Sequence, residues 1–169
     1  KHCGQDLKSM KMGGTCPFCR AKTPTSHEEA VAQIRPWVKK KKAWAQTMMG
    51  QKYKNGKGVK QSYKMARMMY ELAAQQGDVA AMYNLGAIYH QGLGVEQSYE
   101  KAFEYYEQAA DLGDADAQCH LGVMYCNGQG VEASYEKAKH FFELAAEQGN
   151  LIAQTNLADM YELGQGMPI

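Results

Sequence analysis

The sequence predicts an all-α protein made of tandem helical pairs, and three observations support this prediction. The 169 residues repeat themselves with a period of 36. Within each period, apolar residues recur at the spacing of one helix face in two successive segments. Glycines and a serine stand between the two segments, where one helix is expected to end and the next to begin.

The period is visible as columns of identical residues along the chain. Units 79–114 and 115–150 are identical at 17 of 36 positions, which is far above chance. We therefore predict complete repeats at 43–78, 79–114 and 115–150, followed by a truncated repeat at 151–169. The columns that recur in all four units are Ala45, Ala81, Ala117 and Ala153; Tyr53, Tyr89, Tyr125 and Tyr161; Gly56, Gly92, Gly128 and Gly164; and Gly58, Gly94, Gly130 and Gly166.

The unit 79–114 shows how each repeat divides into a helix A and a helix B. Gly92 follows the apolar stripe of helix A, and glycine readily adopts the left-handed conformation that ends a helix. Ser98 is a favourable N-cap for helix B, which we expect to end at Gly113. The apolar stripes comprise Ala81, Leu85, Ile88 and Tyr89 in helix A, and Ala102, Tyr105, Tyr106, Ala109 and Ala110 in helix B.

Glycine also recurs inside helix A, at Gly50, Gly86 and Gly122. Each costs about 1 kcal/mol of helix propensity relative to alanine. Its recurrence in three repeats despite this cost indicates that helices A and B approach closely there. We expect Ala109 and Ala110 of helix B to form the small surface that faces Gly86.

These columns resemble the Sel1-like repeat, whose pattern is roughly A-x-x-x-L-G-x-x-Y, then G-x-G-V, Y-x-K-A and A-A-x-x-G. The resemblance covers residues 43–169, with departures at Met49 and Met65 in the first repeat. It implies a right-handed α-solenoid similar to tetratricopeptide arrays and used as a protein-binding scaffold. The matching residues in 79–114 are Ala81, Leu85, Gly86, Tyr89, Gly92, Gly94, Val95, Tyr99, Lys101, Ala102, Ala109, Ala110 and Gly113.

By analogy with tetratricopeptide units, helix A is expected to line a concave face that binds a protein or peptide. The candidate partner contacts there are Tyr83, His90, Cys119 and Cys126; the alternative is that these are ordinary, partly exposed residues. Cys119 and Cys126 are separated by about 10.5 Å along one helix. This is too far for a disulfide or for joint binding of one ion, so we interpret both as structural. Further residues expected along the groove are Trp44, Thr47, Gln51, Lys54, Ala87 and Val123.

Cys16 and Cys19 form a C-x-x-C pair near the start of the chain. Two thiolates at this spacing converge on one tetrahedral ion, and Zn²⁺ favours sulfur ligands. A redox dithiol is the alternative, but no βαβ pattern surrounds the pair. We therefore expect zinc as the cofactor.

The string Cys16-Pro17-Phe18-Cys19-Arg20, with Cys3 before it, resembles the last ligands of a RING finger. The resemblance implies that residues 1–25 are an incomplete RING domain, with Cys16 and Cys19 on one zinc ion and Cys3 on another. Arg20 is then expected to contact ubiquitin and its conjugating enzyme. A single improvised site that combines His2 with the three cysteines is the other possibility.

Residues 26–42 are predicted to form a linker helix that caps the first repeat. Ser26 and Glu29 have the spacing of a capping box at its start, and Pro36 is expected to kink it. Residues 39–42 are all lysine. We expect these lysines to surround the helix as a solvated face; a nuclear-localisation signal and a nucleic-acid patch are the alternatives.

Composition narrows the functional classes. No apolar run approaches the ~18 residues of a membrane-spanning helix. Five cysteines, an odd number, and the lack of a signal-peptide pattern argue against a disulfide framework and favour the cytoplasm or nucleus. The chain begins at Lys1 without an initiator methionine, so we expect a fragment. Its net charge of +1 hides an asymmetry, because 1–78 carries 16 basic and 5 acidic residues, whereas 79–169 carries 3 and 13.

Two functional hypotheses result. The first is a protein-interaction scaffold with a zinc-binding N-terminal module. The second is a RING-type ubiquitin ligase whose repeats recruit substrate, with a ubiquitin-conjugating enzyme as a further partner, if the rest of the RING lies upstream. No nucleophile–histidine–acid set, phosphate loop or paired carboxylate site is recognisable, and the absence of an RNA motif disfavours a nucleic-acid partner.

Overall fold

A computed structural model describes residues 24–164 of the protein. This part of the chain contains eight α-helices and no strand. The prediction of an all-α fold is therefore confirmed. The helices are α1 (His27–Lys39), α2 (Ala43–Asn55), α3 (Tyr63–Ala74), α4 (Val79–Gln91), α5 (Tyr99–Asp111), α6 (Ala115–Asn127), α7 (Tyr135–Glu147) and α8 (Leu151–Glu162).

The chain divides into two compact units, one that ends at Asp78 and one that begins at Val79. In the first unit, α2 packs against both α1 and α3. In the second unit, α4 pairs with α5 and α6 with α7, while α6 also packs on α5 and α8 on α7. Helices α2, α4, α6 and α8 are thus the A helices of the repeats, and α3, α5 and α7 are the B helices.

Short-range sequence signals set the helix boundaries. The Ser98 side chain accepts a hydrogen bond from the Lys101 N–H, and the serines that begin α3 and α7 make the same bond. Gly92 adopts a positive φ of 66° directly after α4. The loop between them is closed by a bond from the Ser98 N–H to the Tyr89 carbonyl at 3.1 Å. Each helical pair is therefore fixed by residues that recur every 36 positions.

The glycine inside helix A faces an aromatic ring, which corrects the expectation that Ala109 and Ala110 face it. A Cβ on Gly86 would lie 2.7 Å from two ring carbons of Tyr106. A Cβ on Gly50 or Gly122 would meet the ring of Tyr70 or Phe142 as closely. The close approach of helices A and B is real, but a large ring on helix B fills the space that the missing side chain leaves.

Helix α1 takes the position that a helix B occupies elsewhere in the chain. A Cβ on Gly130 would collide with the backbone of Tyr99, at the start of the preceding helix B. A Cβ on Gly58 would collide in the same way with the His27 carbonyl, at the start of α1. Val31 and Ile34 of α1 are buried together with Met49 of α2. This arrangement supports the prediction that α1 covers the end of the first repeat.

The start of α1 follows its sequence signal. The Ser26 side chain accepts a hydrogen bond from the Glu29 N–H at 3.1 Å. The Glu29 carboxylate in turn accepts bonds from the backbone N–H and the hydroxyl of Thr25. Both groups of the capping box are therefore engaged, with the carboxylate reaching one residue further back than the ideal pattern.

The four lysines do not surround a helix, and that expectation was wrong. Helix α1 ends at Lys39, Lys41 has a φ of 54°, and Lys42 is the N-cap of α2. All four lysine side chains are exposed, and residues 40–42 form the turn between the two helices. The Lys40 ammonium lies 5.0 Å from the centre of the Trp37 ring, which contacts the ring of Trp44.

Candidate partner-binding surface

Four rings from three helices meet in the second unit and form what we call the Tyr–His cluster: Tyr83 of α4, His90 of α4, Tyr106 of α5 and His120 of α6. Tyr106 is 1% exposed and its ring stacks on that of His120 at 4.9 Å and 3°. The Tyr83 hydroxyl lies 3.3 Å from Nε2 of His120. The two histidine rings are 6.2 Å apart. The cluster joins the A helices of two successive repeats.

Burial and nearby charges shift the pKa values within the cluster. Desolvation lowers the pKa of His120, and His90 lowers it further, so His120 is neutral near pH 7. Desolvation raises the pKa of Tyr83, with smaller contributions from Asp116 and Asp114. Burial also raises the pKa of Tyr106 far above its ordinary value. Tyr83, Tyr106 and His120 are therefore uncharged at neutral pH.

The predicted contacts Tyr83 and His90 both belong to this cluster and are half-buried. Cys119 is only 6% exposed and lies in the core of the third repeat, so it offers a partner little surface. Cys126 is half-buried against the same core. Both thiols are free, and burial raises the pKa of each, which is the environment of a structural cysteine.

All lysines of residues 79–164 lie on the B helices, whereas carboxylates lie on both kinds of helix. Helices α4, α6 and α8 contain no lysine or arginine. The three lysines lie on the B helices, each with its ammonium over a tyrosine ring: Lys101 on Tyr89, Lys137 on Tyr125 and Lys139 on Tyr161. Asp114 is the N-cap of α6, and the exposed Asp116 follows in its first turn. The A helices thus present aromatic rings and carboxylates.

His120 and Tyr106 are the members of the cluster that the sequence analysis did not assign to a site. His120 lies 36 residues after Asn84 and 36 before Asn156, so the histidine itself does not recur in its column. Tyr106 was assigned only to the apolar stripe of helix B. The available signal was the Gly86 column, because a glycine that recurs inside a helix marks the place where a bulky neighbour packs.

The predicted zinc ligands Cys3, Cys16 and Cys19, and also Arg20, lie outside the described residues. Within 24–164, no group of three or more His, Cys, Asp or Glu side chains could hold a metal ion. In the same part of the chain, no helix has both the length and the apolarity needed to span a membrane.

Paired helices that repeat every 36 residues define an α-helical repeat protein. The model of the Sel1 repeat matches residues 45–78, 79–114, 115–150 and 151–169. The chain therefore belongs to the Sel1 repeat family. This match begins at residue 45 and gives no support for a RING finger in residues 1–25, and no curated protein matches the sequence.

Solved structures share the fold. A protective antigen of uropathogenic Escherichia coli with an SLR fold is 32% identical, with a TM-score of 0.82 over 86% of this chain and 31% of its own. A Sel1 repeat protein from Oxalobacter formigenes is 28% identical, with a TM-score of 0.80 over 85% of this chain and 59% of its own. The chain thus spans less than two thirds of either protein.

A third structure, Helicobacter pylori cysteine rich protein B, is 22% identical, with a TM-score of 0.62 over 77% of this chain and 96% of its own. At this identity the likeness concerns the fold alone. Together, the three similarities confirm the prediction of an α-solenoid fold.

Proposed function

We propose that the protein is an interaction scaffold that binds a protein or peptide partner on the A helices of residues 79–164. The Tyr–His cluster is the observation that supports this proposal. It presents half-exposed tyrosine and histidine rings from successive repeats, and amphipathic rings of this kind are enriched at protein interfaces. Membership of the Sel1 repeat family supports the same function.

Selection from a displayed library of random peptides tests this function. The immobilised baits are the wild-type chain, a helix-A variant and a helix-B variant. The helix-A variant is His90→Ala with Asp116→Asn, and the helix-B control is Glu104→Gln with Glu107→Gln, both exposed on α5. We expect enriched peptides that bind the wild type and the control but not the helix-A variant. Peptides that bind all three baits equally would contradict the proposal.

Zinc binding and ubiquitin ligation remain proposals that the sequence alone supports. The basis is the string Cys16-Pro17-Phe18-Cys19-Arg20 together with Cys3. Because neither expected site has four ligands within this sequence, we expect substoichiometric zinc in this chain and two ions in a longer chain that supplies the missing ligands. Elemental analysis of both proteins measures the zinc content. A longer protein without zinc would refute the RING proposal and leave only the scaffold function. A cytoplasmic or nuclear location is proposed on the odd cysteine count.

A further inference from the structure

The A-helix surface of the second unit carries negative charge, which suits a positively charged ligand. The A helices of this unit carry three carboxylates and no lysine or arginine, whereas the other acidic residues of 79–169 lie on the B helices and in the loops. Asp116 at the start of α6 is exposed, and Asp159 and Glu162 are exposed on α8. No lysine or arginine lies on α4, α6 or α8 to offset these carboxylates. A positively charged partner is therefore complementary to this face.

An aromatic platform lies beside the carboxylates. Tyr83 is half-exposed, and its ring meets Tyr106 at an interplanar angle of 46° and His120 at 43°. Neither neighbour stacks flat on Tyr83, so its face is not covered in the way that Tyr106 covers His120. Asp116 lies one helical turn before His120 on α6, on the same side of the helix as the ring that contacts the Tyr83 hydroxyl. Its Oδ1 accepts a hydrogen bond from the Asn150 side chain at 2.9 Å.

We propose that the surface formed by Tyr83, His120 and Asp116 binds an arginine side chain from a basic segment of the partner. This inference rests on the proposed function and specifies the chemistry of its ligand. The planar guanidinium stacks on the tyrosine face while its N–H groups donate to the Asp116 carboxylate. His120 is neutral and therefore does not repel the guanidinium.

Arginine fits this surface better than lysine for two physical reasons. Its guanidinium is planar, so it contacts a ring face and a carboxylate edge at the same time, whereas an ammonium is a compact, strongly hydrated charge. The chain's own B-helix lysines already occupy tyrosine faces of the A helices, at 5.1 to 5.4 Å from the ring centres. The Tyr83 ring has no such lysine on it among the described contacts.

Fluorescence anisotropy with labelled peptides of alternating sequence tests the proposal. The probes are octapeptides of Gly-Arg, Gly-Lys and Gly-Glu repeats, titrated with the whole chain at physiological salt. We expect the Gly-Arg peptide to bind most tightly. Tyr83→Leu and Asp116→Asn should each weaken its binding about five-fold or more, which corresponds to about 1 kcal/mol.

Two matched variants separate specific binding from general charge effects. Glu107→Gln removes one exposed carboxylate from α5 and should change affinity less than two-fold. Glu104→Gln removes another exposed carboxylate of α5 and should also stay within two-fold. Circular dichroism verifies that each variant is folded. Equal losses for Glu107→Gln and Asp116→Asn, or equal affinity for the Gly-Arg and Gly-Lys peptides, would overturn the proposal.

The same measurements distinguish this inference from the proposed function. Displayed peptides that depend on the A helices but contain no arginine would overturn the arginine site and leave the scaffold function standing. Displayed peptides whose binding does not depend on the A helices would overturn the proposed function itself.

Discussion

The glycine inside helix A provides the sharpest test of how the repeats pack, through the substitution Gly86→Ala. In an isolated helix this change stabilises by about 1 kcal/mol. Here the new Cβ would lie 2.7 Å from two carbons of the Tyr106 ring. Ordinary carbon contacts are about 3.5 to 4.0 Å, so the ring or the whole helix has to move by about 1 Å.

The ring of Tyr106 has little room to move. It is 1% exposed, and the His120 ring stacks on it at 4.9 Å. Overpacking a filled core costs about 1 to 3 kcal/mol. Because the strained ring is held on another side, we expect a cost near the upper end of this range. Subtracting the gain in helix propensity leaves a net loss of about 1 to 2 kcal/mol for Gly86→Ala.

Ala158 offers a control within the same chain, because it lies in the same column on α8, 72 residues after Gly86, and is exposed. Ala158→Gly removes helix propensity without a packing change and should cost about 1 kcal/mol. Urea unfolding followed by far-ultraviolet circular dichroism measures both variants. A double-mutant cycle with Tyr106→Leu should show that the smaller side chain relieves at least about 1 kcal/mol of the strain. If Gly86→Ala raises the urea midpoint, the close approach is not a constraint.

Three further predictions follow from single contacts. The hydroxyl of the fully buried Tyr70 has no hydrogen-bond partner among residues 24–164, so Tyr70→Phe should raise stability by about 1 kcal/mol, measured as a higher Tm; a lower Tm would contradict this. Ser134→Ala removes the N-cap of α7 and should lower stability by about 1 kcal/mol in urea unfolding. The control variant Ala133→Gly, at the exposed residue before the cap, should leave the cap unchanged. The pKa of His120 is lower in the folded chain than in the unfolded chain, so the unfolded chain binds the proton first and stability should fall as the pH drops through the ordinary histidine range. His120→Asn should reduce this pH dependence, measured as the urea midpoint. An unchanged pH dependence would refute the assignment.

The repeat architecture was predictable because local chemistry specifies it. Ser98 caps α5 because its side chain accepts a hydrogen bond from the Lys101 N–H, three residues later. Gly92 ends α4 because glycine readily adopts a positive φ. Neither requirement depends on distant residues. The same is true of Ser26 and Glu29 at the start of α1. Such signals recur with the period, so the helix pairs were visible in the sequence before any packing was known.

The lysine turn was not predictable from local chemistry. Lysine is a good helix former, and four in succession favour continuation of α1. The chain turns instead at Lys41, a lysine with a φ of 54° in a region that glycine usually occupies. Trp37 and Trp44 contact each other across this turn, with ring centres 5.9 Å apart. Packing between α1 and α2 therefore overrides propensity at this point.

The candidate surface was predictable only in part, because periodicity reveals what the repeats share and the surface depends on where they differ. Tyr83 occupies a column that holds Thr47 in the first repeat and Cys119 in the third. His120 follows Asn84 in its own column, and this substitution provides the ring that stacks on Tyr106. A scaffold needs its shared positions to stack and its variable positions to discriminate between partners. The Tyr–His cluster combines both, since its buried member fills the space beside Gly86 while its half-exposed members differ from the equivalent residues of the other repeats.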